Sequence, residues 1–180
     1  MRVSENDLRS DLMRLQTPLR PVVDKARYRD AMASLGATVG LATVRSGGER
    51  LGRTVTSFFS LSVEPPTILI SLDRTSQLAK RVGTIGGFSF AMLAEDQSGI
   101  ANAFAGFGDP QRRFENGRWN AWKSGHPKLE NALVAMDCEV IGAIETPSHW
   151  LLAGCVVDIE TATDRAPLLW HRRQYGALAS

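Results

Sequence analysis

The length of the apolar runs constrains this chain more than any other feature. Thr67 to Leu72, Phe88 to Leu93, Leu133 to Ile144 and Trp150 to Ile159 are rich in branched and aromatic residues, and each is strand-sized. Turn signals separate the runs. Ser46-Gly47-Gly48-Glu49 divides a strand over Val39, Leu41, Thr43 and Val44 from a second one over Arg50 to Thr56, and Glu64-Pro65-Pro66 stops the segment that follows. No run approaches the ~20 apolar residues that a membrane-spanning helix needs. Strands that follow one another through short turns, not through helices, favour an antiparallel sheet or barrel over a doubly wound parallel sheet.

Helical spacing is confined to a few places. Tyr28, Ala31, Met32 and Leu35 share one face, and Gly36 can end that helix. Ser76 can cap a short helix through Arg81, with Gly83 after it, and Glu95 to Phe104 reads as another. Residues 106–118 read as a loop. Leu168-Leu169-Trp170 is a last short strand, introduced by Ala166-Pro167. Residues 1–24 read as a peripheral arm, with a short helix around Leu8, Leu12 and Leu15 that Pro18 and Pro21 break, and residues 25–180 as one domain.

Composition narrows the function. A formal charge of +2 over 180 residues lacks the dense basic face of a nucleic-acid binder. The charged residues Glu5, Asp7, Arg9, Asp11 and Arg14 interrupt any signal-peptide core. Cys138 and Cys155 form no C-x-x-C pair and read as two reduced core thiols, which suits a cytoplasmic protein. Glycine-rich dinucleotide and triphosphate loops are absent, as is a nucleophile elbow. The scattered His126, His149 and His171 have no zinc spacing, so no metal site is expected.

Two polar clusters remain. Gly52-Arg53-Thr54-Val55-Thr56-Ser57 ends a strand with hydroxyls and backbone N–H groups able to hold the polar edge of a planar ring. One strand later, Ser71, Asp73, Arg74, Thr75, Ser76 and Gln77 combine a cation with hydroxyls at a helix start, a place suited to an anion. Taken alone, either cluster more often forms just turns and caps.

In order and spacing these segments resemble the flavin reductase family. The resemblance is carried by Tyr28-Arg29-Asp30-Ala31-Met32, the run Gly52 to Pro66 with its Ser-Leu-Ser-Val-Glu-Pro-Pro ending, Ile68 to Ser76, Gly87-Phe88, Leu93 to Gln97, Ala103-Phe104, Gly125-His126-Pro127, Asp137-Cys138, His149, Pro167-Leu168 and Tyr175. It implies a mainly β fold with flanking helices, an antiparallel Greek-key split barrel of the FMN-binding type. It also implies a homodimer and a hydride transfer from NADH or NADPH to FMN or FAD, which supplies reduced flavin to a partner monooxygenase. A tightly flavin-bound electron carrier and a non-catalytic split-barrel binding protein are the alternatives.

The resemblance assigns Arg53, Thr54, Val55, Thr56 and Ser57 to the flavin ring and ribityl chain, and Ser71, Leu72 and Asp73 to the adjoining edge. Ser76 and Gln77, with Arg74 beside them, fall at the phosphate, and Phe104 at the ribityl or phosphate region. His149 matches the histidine of the family's Gly-Asp-His element and would serve the nicotinamide, with Pro147-Ser148 standing where the family has Gly-Asp; a capping or packing role is the other reading. Tyr175 would border the same site. Arg172 or Arg173 would meet the 2′-phosphate of NADPH, or form a solvated basic tail. Trp119, Trp122, Trp150 and Trp170 read as core or interface residues.

Overall fold

The computed structural model describes residues 13–14 and 18–178. The helix expected around Leu8, Leu12 and Leu15 lies outside the described residues. Strand β1 (Met13–Arg14) runs parallel to Ile144 and Glu145. Helix α1 (Lys25–Ala33) is capped by Asp24, whose carboxylate accepts from the amides of Ala26 and Arg27. It ends at Ser34, ahead of Gly36, because the Ser34 amide and hydroxyl turn back onto the carbonyls of the last turn. Tyr28, Met32 and Leu35 do share a face, but that face is exposed.

After the two-residue β2 (Ala37–Thr38) come β3 (Gly40–Ser46), β4 (Glu49–Val55), β5 (Phe58–Val63), β6 (Pro66–Asp73), β7 (Gly87–Met92), β10 (Val134–Glu145) and β11 (His149–Thr161). Helix α2 (Gln77–Ile85) separates β6 from β7. Helix α3 (Ser98–Ala105) and the hairpin β8 (Trp119–Ala121)–β9 (Pro127–Leu129) separate β7 from β10. The hairpin β12 (Leu169–His171)–β13 (Gln174–Gly176) ends the chain and pairs with β2.

The large sheet runs β4-β3-β7-β10-β11-β6-β5, with every pair along that path antiparallel. Its outermost strands, β4 and β5, are neighbours in sequence, and only Thr56 and Ser57 lie between them. Seven strands laid flat at their usual spacing would put the outer two roughly 29 Å apart. Three peptide steps reach only about 11 Å. The sheet therefore curls until its edges meet at Thr56-Ser57, and it forms a barrel split at that seam.

Alternation along the strands makes two cores. Ala42, Val44, Val55, Ile68, Ile70, Leu72, Phe88, Phe90, Cys138, Val140 and Leu152 fill the barrel, and Leu78, Ala79 and Val82 of α2 close it. Outside it, Leu41, Ala91, Leu93 and Ala135 pack under Ile100, Ala101 and Phe104 of α3, with Trp122 and Leu129 of the small hairpin. The barrel is tightly filled at Gly154, where a Cβ would come within 2.5 Å of the Phe88 ring.

Gly83 does not end α2. The helix continues to Ile85 because Gly86, at φ 78°, supplies the left-handed cap. Glu95–Gln97 is a 3-10 turn that leads into α3, and Pro110–Glu115, expected to be loop, forms another 3-10 segment. Cys138 is buried and Cys155 half-buried, both as free thiols.

Candidate functional site

At the seam, the end of β4 and the Thr56-Ser57 link meet the end of β6 and the start of β11. Arg53, Thr54, Val55, Thr56, Ser57, Ser71, Leu72, Asp73 and His149 line one cleft of about 200 Å³. Register explains the convergence. His149 pairs with Asp73, Trp150 with Leu72 and Leu151 with Ser71, while the Ser71 amide donates to the Ser57 carbonyl at 2.9 Å. Two segments 14 residues or more apart in sequence thus become two walls, and the β10–β11 turn adds the third.

The cleft offers donors. The amides of Thr56 and Ser57, and the hydroxyls of Thr56, Ser57 and Ser71, make no hydrogen bond among the described residues. Such groups at a strand end suit carbonyl and ring-nitrogen acceptors. Leu72 reaches the cleft through its backbone, since its side chain is buried in the barrel. Thr54 is different. Its hydroxyl donates to the Ala101 carbonyl at 2.6 Å and so binds β4 to α3, leaving only its backbone at the cleft.

Asp73 folds back on its own loop and accepts from the amide and hydroxyl of Thr75 at 2.8 and 2.7 Å. Those two bonds, then His149 and Arg53 nearby, hold its carboxyl below the ordinary range, so it stays ionised. Ser76 is the N-cap of α2. Its hydroxyl accepts from the Ala79 amide and donates to the Asp73 carbonyl. The amides of Gln77 and Leu78, the orphans of the first turn, have no partner among the described residues. Ser76 and Gln77 do not line the cleft but follow directly from its Asp73 wall. Arg74 pairs with Glu145 at 3.1 Å and reaches the Pro147 carbonyl, so its charge braces the β10–β11 turn.

Four residues expected at the site lie away from this cleft. Phe104 is fully buried in the outer core against Phe114 and Trp119. It lies so close to the β4 backbone that a Cβ at Gly52 would come within 2.6 Å of its ring. It supports the strand from behind, because a phenylalanine on the inner side of α3 has nowhere apolar to go but the core. Tyr175 packs edge-on against Trp170 and donates to Asn102 Oδ1 at 2.9 Å. It lines a separate open cleft of about 430 Å³ with Glu95, Asp96, Ser98, Leu168, Gly176 and Ala177. Arg172 and Arg173 form the two-residue turn of the last hairpin, both at positive φ, with the Arg172 amide on the Ala33 carbonyl and Arg173 paired to Asp30. Within one chain neither arginine reaches the seam cleft.

Ser148 enters the sequence reading only as part of the Pro147-Ser148 pair that stands where the family has Gly-Asp, with no role of its own. Its hydroxyl sits 2.8 Å from Nδ1 of His149. The sequence signal for it was its place directly before that histidine, at the position of the family's aspartate.

This architecture and this cleft define a split-barrel protein with a polar site at the barrel seam. The sequence matches the family described as "Flavin reductase like domain" over residues 32–179, and the chain belongs to that family. It is 35% identical to the FMN reductase (NADH) RutF of Ancylobacter novellus over 159 residues, 88% of each chain. It is 34% identical to the NADH:riboflavin 5′-phosphate oxidoreductase of Streptomyces pristinaespiralis, over 88% of this chain and 90% of that one. Among solved structures it is similar to BorF, the flavin reductase component of a bacterial two-component tryptophan halogenase, with a TM-score of 0.79 and 25% identity over 87% of this chain and 99% of that one.

Proposed function

We propose that the chain is an NADH-dependent flavin reductase with FMN as its first flavin, and that it hands the reduced flavin to a partner oxygenase or halogenase component. The observation that carries this reading is the unpaired donor set of the seam: two amides and three hydroxyls from Thr56, Ser57 and Ser71 in one cleft with His149. That set fits the pyrimidine edge of a flavin, which presents carbonyl and ring-nitrogen acceptors. The first turn of α2, with its orphan amides at Gln77 and Leu78, fits the phosphate end.

A bound flavin supplies the hydride-accepting ring system, and the protein supplies binding, alignment and electrostatics. Thr56, Ser57 and Ser71 would donate to the flavin edge that gains negative charge on reduction, from positions that the strand ladder fixes beforehand. Holding two rings in register is worth up to about 7–11 kcal/mol, which explains why the cleft has no dedicated general acid or base. His149 borders the space left for the nicotinamide.

The cleft is smaller than the roughly 300–1,000 Å³ usual for a ligand of this size, so a second wall is needed. We propose a homodimer that supplies it. The outer face of β5 exposes Phe59, Leu61 and Val63, and β10 and β11 expose Ile141, Val157 and Ile159. No helix of the described residues covers it. We also propose residues 1–24 as an arm on the domain that follows, consistent with the Asp24 cap, and a reducing compartment, consistent with two free thiols.

NADH and NADPH loss measured with FMN and FAD in turn tests the reading. Flavin-dependent loss, fastest with NADH and FMN, is expected. A firmly retained yellow flavin without turnover would replace the reductase with a bound electron carrier, and neither binding nor turnover would leave the family fold without its chemistry.

A further inference from the structure

The turn that carries His149 is held at almost every backbone group. The His149 amide donates to Thr146 Oγ1 at 2.8 Å, and the His149 carbonyl accepts from the Thr146 amide at 2.9 Å and the Thr146 hydroxyl at 2.8 Å. The Ser148 carbonyl accepts from the Arg74 amide at 3.1 Å, and the Arg74 guanidinium braces Pro147 and Glu145. With the backbone so fixed, the imidazole has only its side-chain torsions left. Among the described residues, its one side-chain partner is the Ser148 hydroxyl, 2.8 Å from Nδ1.

A hydroxyl and a carboxylate do different things at Nδ1. A carboxylate only accepts, so it demands Nδ1–H and favours the charged ring. A serine hydroxyl has a proton to give, and Ser148 Oγ has no other protein acceptor among the described residues. His149 is the cross-strand partner of Asp73 and lies near enough to act on its carboxylate, so the ring sits in the field of that negative charge. With Nδ1 taken by Ser148, that field favours an Nε2–H over an Nε2 lone pair.

We infer that Ser148 is a positioning residue: its hydroxyl donates to Nδ1 of His149 and holds the neutral ring with its proton on Nε2. The cleft is thereby offered an uncharged N–H donor, suited to a carbonyl oxygen such as that of a carboxamide. The assignment of that oxygen to the nicotinamide rests on the reductase reading, while the tautomer does not. The charged groups around the ring are Asp73 on β6, Arg53 on β4, Arg74 after β6 and Glu145 on β10.

The test uses the full-length protein with 15N-labelled histidine and no added flavin, read by two-bond 1H–15N correlation above the titration of the ring. The wild type is expected to show the Nε2–H pattern. S148A is expected to lose it in favour of an averaged pattern, and to raise KM for NADH about fivefold, the factor a neutral hydrogen bond is worth. S148T should retain the wild-type pattern and KM. S148D, which can only accept, should give the Nδ1–H pattern. An Nδ1–H wild type, or an S148A protein with unchanged pattern and KM, overturns the inference; should S148A not fold, S148T and S148D decide it through the same spectra. An Nε2–H ring without flavin-dependent NADH loss would overturn the reductase reading and leave the positioning role intact.

Discussion

At the scale of single residues, the hydroxyls of the seam divide by what they touch. Ser71 has no partner among the described residues, so Ser71→Ala should raise KM for FMN about fivefold and leave the melting temperature unchanged. Thr54 is committed to the Ala101 carbonyl, and Thr54→Val should instead cost about 1 kcal/mol in denaturant unfolding. His126 shows a different use of a histidine. It is buried in the turn of the small hairpin, just before β9, and its Nδ1 accepts from the Arg45 amide at 3.3 Å. Burial lowers its pKa from 6.5, and Asp137 opposes this only in part. A lowered histidine stays neutral in the fold while the unfolded chain takes up a proton, so stability falls as pH drops below about 6.5 and levels off beneath the folded value. The unfolding free energy measured from pH 8 to 5 should show that decline, and His126→Gln should flatten it.

At the scale of elements, α3 and β4 work as a unit. Phe104 fills the space behind Gly52, and Thr54 bonds to the same helix one turn earlier, so the strand that carries Arg53 to Ser57 is set by the outer core. Phe104→Ala should cost about 3–5 kcal/mol. A chemical-denaturation series would register the loss, together with weaker FMN binding in whatever fraction stays folded. The same unit shows what sequence reasoning could not settle about Phe104. Its neighbours in sequence say that it lies on a helix near the site, but which side of that helix faces the barrel depends on β3, β4 and β7 packing beneath it. Helix α2 gives the converse case. Ser76 as its cap is plain from the sequence, because a serine before an apolar periodic run satisfies the first-turn donors locally.

At the scale of the whole molecule, the exposed apolar face of β5, β10 and β11 is the surface most at odds with a lone subunit. Phe59→Glu with Leu61→Glu should leave the barrel folded, since both side chains point outward. The double variant should sediment as a 19.7 kDa monomer and lose flavin affinity, whereas the wild type should sediment at about twice that mass. A monomeric wild type with full activity would remove the need for a second wall at the seam.

The amino-acid sequence by itself determined the strands, most of the turns and the two polar runs, because alternation, proline and glycine placement and capping are local effects that operate over a few residues. The order of segments was enough to recognise the family. What only the tertiary structure decided is which of those polar groups meet. Thr56 and Ser57 are a seam because the two edges of a seven-strand sheet close on them, and His149 joins them because β11 pairs with β6 across some eighty residues of chain. Closure likewise assigned Phe104 to the core and left Tyr175 and Arg172 on a hairpin of their own. Pairing register and barrel curvature are properties of contacts far apart in sequence, and no local pattern encodes them.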